Sequence, residues 1–238
     1  MTVIAVLLTF GSGAMDVASF TRLGNVFSSV MTGNIVLFGL SLAKGSVSLA
    51  THTTTAVGGY VIGVAVGTRV AWFHARRASF TESSDSPWPP HVTMALLLEF
   101  LLLAGVTVGW EVTGSRPAGG VQFVILVVSA CAMGIQSAAV MDMGLKEVST
   151  TFLTGTLTGL VGALVSPDGR RPGLRRPGVL VGLVVGAALA GLLVYYVPDL
   201  VPALPLGAIA AVIVLGARST SAPGRRTATV PGPRKPRS

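Results

Sequence analysis

The chain has 238 residues, 51% of them apolar and only 11% charged, with a mean hydropathy of +0.74. A water-soluble domain carries roughly 25% charged residues, so this composition excludes an ordinary soluble globule. The net charge of +8 sits between apolar runs and in a tail; that is how membrane segments are oriented, and no zinc-knuckle, helix-turn-helix or aromatic-basic pattern points to nucleic acid.

Crossing the hydrocarbon core takes about 20 mostly apolar residues. Eight segments are candidates: 2–20, 26–43, 53–73, 92–110, 121–140, 151–165, 179–197 and 201–217. Lipid forbids unpaired backbone groups, so all should be helices. The first lacks a basic start and a cleavage site, which makes it a span and not a signal peptide. It begins abruptly at Met1, so the start codon is expected upstream. The second contains Ser28, Ser29, Thr32, Gly33, Asn34 and Gly39, and the sixth contains Thr154, Gly155, Thr156, Thr158, Gly159 and Gly162. These two are shorter and more polar than the rest. Polar or proline-rich linkers separate the others, at 75–90, 166–177 and around Pro198, Pro202 and Pro205. Residues 1–217 form a single membrane domain, and the Pro-, Gly- and Arg-rich tail, 218–238, is too poor in apolar residues to fold on a core. Cys131, the single cysteine, lies in an apolar run and reads as a packed, inert thiol.

The two polar segments resemble each other. Ser28-Ser29-Val30-Met31-Thr32-Gly33-Asn34 and Thr150-Thr151-Phe152-Leu153-Thr154-Gly155-Thr156 share one pattern of hydroxyl, apolar, Thr-Gly and small polar residues. Upstream, Gly13-Ala14-Met15-Asp16 resembles Gly134-Ile135-Gln136; downstream, Gly59, Gly63 and Gly67 match Gly178, Gly182 and Gly186. The expectation is two homologous halves, about 1–115 and 116–217. If the two polar segments are re-entrant or broken, six spans remain, three per half, and the halves insert in opposite orientation. With the N-terminus inside, Arg22, Lys44 and Arg116 fall outside. The other 14 of the 17 Lys and Arg fall inside, as the positive-inside rule prefers. If all eight crossed, Arg69, Arg76 and Arg77 would move outside. The fold expected is an all-α integral membrane protein of six transmembrane helices plus two Thr-Gly segments, in the bacterial inner membrane, both termini cytoplasmic.

These motifs resemble the YoaK-like family of bacterial membrane proteins, catalogued as a domain of unknown function. The residues that carry the resemblance are Gly13 to Phe20, Val26-Phe27, Met31-Thr32-Gly33-Asn34 and Gly39, with Gly134 to Ala138 and Thr150 to Thr156 in the second half. The resemblance covers nearly the whole chain except the tail. It implies a multi-pass inner-membrane protein and assigns no activity; its members carry a short hydrophilic lead before the first span.

Few residues can carry chemistry. A carboxylate in lipid is costly and marks a proton or cation site or a structural clasp, and Asp16 fits either, with Arg22 near enough to pair. Thr32-Gly33-Asn34 and Thr154-Gly155-Thr156 suit an opened helix whose freed backbone groups coordinate an ion or polar solute, or close packing helped by glycine. Gln136 stands where Asp16 stands in the other half. Glu99 has no intramembrane Lys or Arg for a partner, so it faces a cavity, is protonated, or bonds a neighbouring helix. Asp142 and Lys146, four apart, fit a solvated helix-end pair. Arg170, Arg171, Arg175 and Arg176 and the tail can meet anionic lipid. His52, His74 and His91 share no metal-ligand spacing, and no Walker lysine or Ser-His-Asp set is present. No cofactor or catalysis is expected. The function expected is a small secondary transporter or channel for an ion or small polar solute, with Asp16, Thr32, Gly33, Asn34, Glu99, Gln136, Thr154, Gly155 and Thr156 along the path; the alternative is a non-transporting scaffold or accessory subunit. The glycine ladders could pack within one chain or between two copies in a homo-oligomer.

Overall fold

A computed structural model describes residues 1–78, 88–143, 150–165 and 175–220, apart from the side chains of 74–78, 150–152, 164, 175–176 and 219–220. Lys146, Arg170, Arg171 and residues 221–238 lie outside the described residues, as do the side chains of Arg175 and Arg176. The described residues form helices α1 (Thr2–Arg22), α2 (Met31–Lys44), α3 (Val47–Ala78), α4 (Pro90–Val112), α5 (Gly119–Asp142), α6 (Thr150–Val165), α7 (Arg175–Tyr196) and α8 (Ala203–Thr220), with a 3-10 turn at Pro198–Leu200 before α8.

Local chemistry sets the ends. α2 stops at Gly45, whose φ of +63° lets Ser46 N–H reach back to the Ser41 carbonyl, a closure that glycine allows without strain. Pro90 opens α4, where its missing N–H costs nothing. α3 begins at Val47, six residues before the apolar pattern does, because the hydroxyls of Thr51, Thr53 and Thr54 bond back to their own helix's carbonyls. Polar residues that satisfy themselves this way are tolerated in a membrane helix.

Among the described residues, six helices are long and apolar enough to cross a membrane: Thr2–Arg22, Val47–Phe73, Pro90–Val112, Gly119–Asp142, Pro177–Tyr196 and Pro198–Arg218. α2 and α6 have 14 and 16 residues, about 21 and 24 Å at 1.5 Å per residue, short of the roughly 30 Å hydrocarbon core. Contacts between helix ends give the directions. At one end, Arg22 of α1 donates to Val194 O of α7, Gln122 of α5 reaches Arg22 O and His52 of α3, and Trp110 of α4 donates to Pro198 O. At the other end, His91 of α4 pairs with Asp142 of α5, and Trp88 covers Gly216 of α8. So α1, α4 and α7 run one way and α3, α5 and α8 the other. Asp142 is thus held by His91; the pairing with Lys146 expected from the sequence spacing falls outside the described residues.

The most extensive contacts are α3 on α5 and α1 on α7. Both are parallel pairs joined through glycine. A methyl added at Gly63 would overlap the Cys131 carbonyl, and one added at Gly186 would overlap the Phe10 carbonyl. One turn earlier, Gly59 and Gly182 would place a methyl 2.8 and 2.9 Å from the carbonyls of Val127 and Val6. These contacts match Gly59 with Gly182 and Gly63 with Gly186, an offset of 123 residues (from 63 to 186). By these approaches Gly63 resembles Gly186, one helical turn from the Gly182 of the sequence match. A ladder with period four aligns almost equally well when slipped by four, and only the opposing backbone decides. Leu8, Met15, Leu96, Leu103, Trp110, Leu126, Met133 and Ile209 fill the interior. Val36, Val61, Leu101, Val124, Val181 and Val184 face outward, as expected of a surface solvated by lipid.

Candidate functional site: two buried polar centres

The first centre is a clasp on the loop between α1 and α2. Asp16, 6% exposed, lies one and a half turns before the end of α1. Its Oδ1 accepts from Ser28 N (2.9 Å), Ser28 Oγ (3.2 Å) and Ser29 N (2.8 Å), and its Oδ2 accepts from Ser29 Oγ at 2.5 Å. Asn34, in the first turn of α2, holds the next residue back: its Oδ1 accepts from Phe27 N at 2.9 Å and its Nδ2 donates to Phe27 O at 2.7 Å. Three successive backbone positions, 27 to 29, are thereby pinned. The loop can fold so tightly because Gly24 and Asn25 both adopt positive φ, +98° and +59°, the region that glycine and asparagine tolerate best. Gly24 lies directly against the His52 ring, which stacks on Phe123 with centroids 4.3 Å apart. Arg22 serves Val194 O and not Asp16. Beside the clasp, a largely apolar cleft of about 340 Å³ is lined by Gly13, Asp16, Phe20, Phe27 and Leu183.

The second centre joins three helices. Ser12 Oγ, midway along α1, donates to Gln136 Oε1 of α5 at 2.9 Å, and Gln136 Nε2 donates to Glu99 Oε1 of α4 at 2.8 Å. Glu99 is 0% exposed. Its Oε2 has no hydrogen-bond partner among the described residues, and neither do the buried hydroxyls of Ser19 and Ser129. Ser19 follows Ser12 by seven residues and Ser129 precedes Gln136 by seven, so each pair shares a helix face. Nine residues of α4 precede Glu99, about 14 Å of helix, which puts its carboxyl deep in the span.

The sequence-derived candidates therefore separate. Asp16 and Asn34 belong to the clasp, Glu99 and Gln136 to the three-helix chain. Thr32 is exposed and Gly33 half-buried against Phe27 and Val30. The interruption falls before this motif, which begins α2 and does not break a helix. Thr154 and Gly155 are exposed and Thr156 is buried in α6. Gly13 meets the Leu183 carbonyl as Gly134 meets the Tyr60 carbonyl; counted from these two glycines, Gln136 stands level with Met15 and Ser137 with Asp16. Ser12 escaped the sequence reading; its one signal is a position four residues before Asp16, on the same face.

A family model described as "Protein of unknown function (DUF1275)" matches residues 4–216. The chain belongs to this family. Among curated proteins, the UPF0700 transmembrane protein YoaK of Bacillus subtilis (strain 168) is 34% identical over 156 residues, covering 65% of this chain and 63% of that protein. The match thus spans less than two thirds of the relative's length. No solved structure matches. This DUF1275 member is a multi-pass membrane protein.

Proposed function

We propose that this DUF1275 protein is a small secondary transporter or channel for an ion or small polar solute, whose path meets the Ser12–Gln136–Glu99 chain. The observation that supports this best is Glu99. It is a fully buried carboxyl deep in a span, held through one oxygen, with the other free of partners among the described residues. Intramembrane carboxyls are expensive and concentrate on substrate and ion pathways. The architecture supports the same reading. Each of α1, α3 and α4 runs opposite to its own counterpart, α5, α7 and α8 respectively, and the same glycine-to-carbonyl approach occurs in both halves at nearly one offset. We read this as an inverted duplication, the arrangement in which many transporters rock one half against the other. Asp16, Thr32, Gly33, Asn34, Thr154, Gly155 and Thr156 then belong to the short-helix elements at the ends of the path. Both termini are cytoplasmic in this reading, and Arg170, Arg171, Arg175, Arg176 and the tail meet anionic lipid of the inner leaflet.

The test is water access. In a Cys131→Ala background, single cysteines replace Ser12, Gln136, Thr32 and Thr154, and intact and permeabilised cells are treated with membrane-impermeant thiol reagents. Labelling of Ser12→Cys and Gln136→Cys is expected from one side or both. Silence at both in folded, inserted protein would remove the transport reading and favour the scaffold, to which a fully satisfied clasp such as that at Asp16 is equally suited.

A further inference from the structure

The Ser12–Gln136–Glu99 chain has two self-consistent hydrogen-bond directions. In the first, the Ser12 hydroxyl donates to Gln136 Oε1 and the amide donates to Glu99 Oε1. Yet Ser12 Oγ carries one hydrogen and lies within reach of two acceptors, Gln136 Oε1 at 2.9 Å and the Leu8 carbonyl at 3.1 Å. When a proton from water adds to Glu99 Oε1, that oxygen becomes a donor. The Gln136 amide, turned by half a rotation about its terminal bond, then accepts through Oε1 from Glu99 and donates through Nε2 to Ser12 Oγ. The Ser12 hydrogen passes to the Leu8 carbonyl, already in place. The three side chains stay in contact, every donor retains an acceptor, and only the direction reverses. One O–H bond forms on the carboxylate as one breaks on the hydronium ion that delivers the proton and leaves as water, and no covalent bond changes within Gln136 or Ser12.

We propose that Glu99 is a proton-binding site, and that the reversal of this chain carries its protonation from α4 through α5 to α1. The proposal rests on the transport reading above and names its coupling ion. A proton fits better than a metal cation. A divalent ion needs several oxygen ligands, carboxylates foremost, whereas no group of three or more His, Cys, Asp or Glu occurs among the described residues. A proton needs one acceptor, and it removes a charge that is costly to keep buried among helices.

α4 packs on α5, α8 and α3. The titratable or charged side chains described on these helices are Cys131 and Asp142 on α5, Arg218 on α8, and His52, Tyr60 and Arg69 on α3; α4 itself adds His91 and Glu111. None of them bonds or ion-pairs with Glu99: Asp142 is paired with His91, and His52 with Ser48 O and Gln122. The proton site is therefore Glu99 alone, read out through one amide.

The test uses full-length protein in detergent and infrared difference spectra between alkaline and acidic buffer. Wild type should show the carbonyl band of a protonated carboxyl. The band should disappear in Glu99→Gln, move in Glu99→Asp, persist in Asp16→Asn, and shift in Ser12→Ala, which removes one end of the chain. A band unchanged in Glu99→Gln, or in Glu99→Asp where the glutamine variant fails to fold, would overturn the proposal, as would wild type without such a band. Charge-displacement recordings on proteoliposomes separate the two readings. A Glu99 band without any displacement on proton, sodium or potassium jumps leaves the proton site standing and removes transport. Displacement by sodium at constant pH without a Glu99 band does the reverse.

Discussion

Asp16 and Glu99 are both buried carboxyls in membrane helices, and their surroundings separate them. Asp16 has four donors from two adjacent serines, two of them backbone N–H groups that no helix satisfies. Its work is to complete the loop's hydrogen bonds, and the loop's donors in turn offset part of the cost of burying it. Asp16→Asn puts an amide NH2 among donors, so thermal unfolding in detergent should show a loss of about 1–3 kcal/mol, with faster protease cleavage between Leu23 and Val30. An unchanged melting profile would mean that the clasp contributes nothing to the fold. Glu99 is different, because one of its oxygens has no such donor among the described residues.

At the scale of the helix pair, the glycines divide into two kinds. Gly63 and Gly186 lie against the backbones of partner helices, where a methyl would overlap a carbonyl, whereas Gly58, four residues after Thr54 in the same α3, has nothing within 4 Å. Overpacking a tight contact costs about 1–3 kcal/mol. Gly63→Ala and Gly186→Ala should therefore destabilise by similar amounts, and Gly58→Ala should be neutral or stabilising by up to about 1 kcal/mol, since alanine is the better helix former. Unequal losses at Gly63 and Gly186, measured by unfolding in the same detergent, would argue against equivalent halves. Gly-x-x-x-Gly is visible in sequence; which rung meets which carbonyl is not, because the period of the ladder hides a slip of one turn.

At the scale of the whole molecule, six crossings place both ends of the membrane domain on one side, and the helix-end contacts fix which linkers share a side. Cysteines at Gly114 and Pro198 should label from one face of the membrane, and a cysteine at Arg218 from the other. Labelling of Gly114 and Arg218 from the same face would refute the arrangement. The membrane class, the six long spans and the two short polar segments were all legible in the sequence, because hydrocarbon thickness and the cost of unpaired backbone act on each segment independently of its neighbours. Asp16, Asn34, Glu99 and Gln136 were legible as unusual for the same reason: a polar side chain in an apolar run is conspicuous wherever it lies. Their partners were not. Ser12 meets Gln136 across 124 positions, and Gln136 meets Glu99 across 37. Such pairings depend on which face of each helix turns inward and on the rung at which two glycine ladders lock. Only tertiary packing decided that Asp16 closes a loop while Glu99 waits at the junction of three helices.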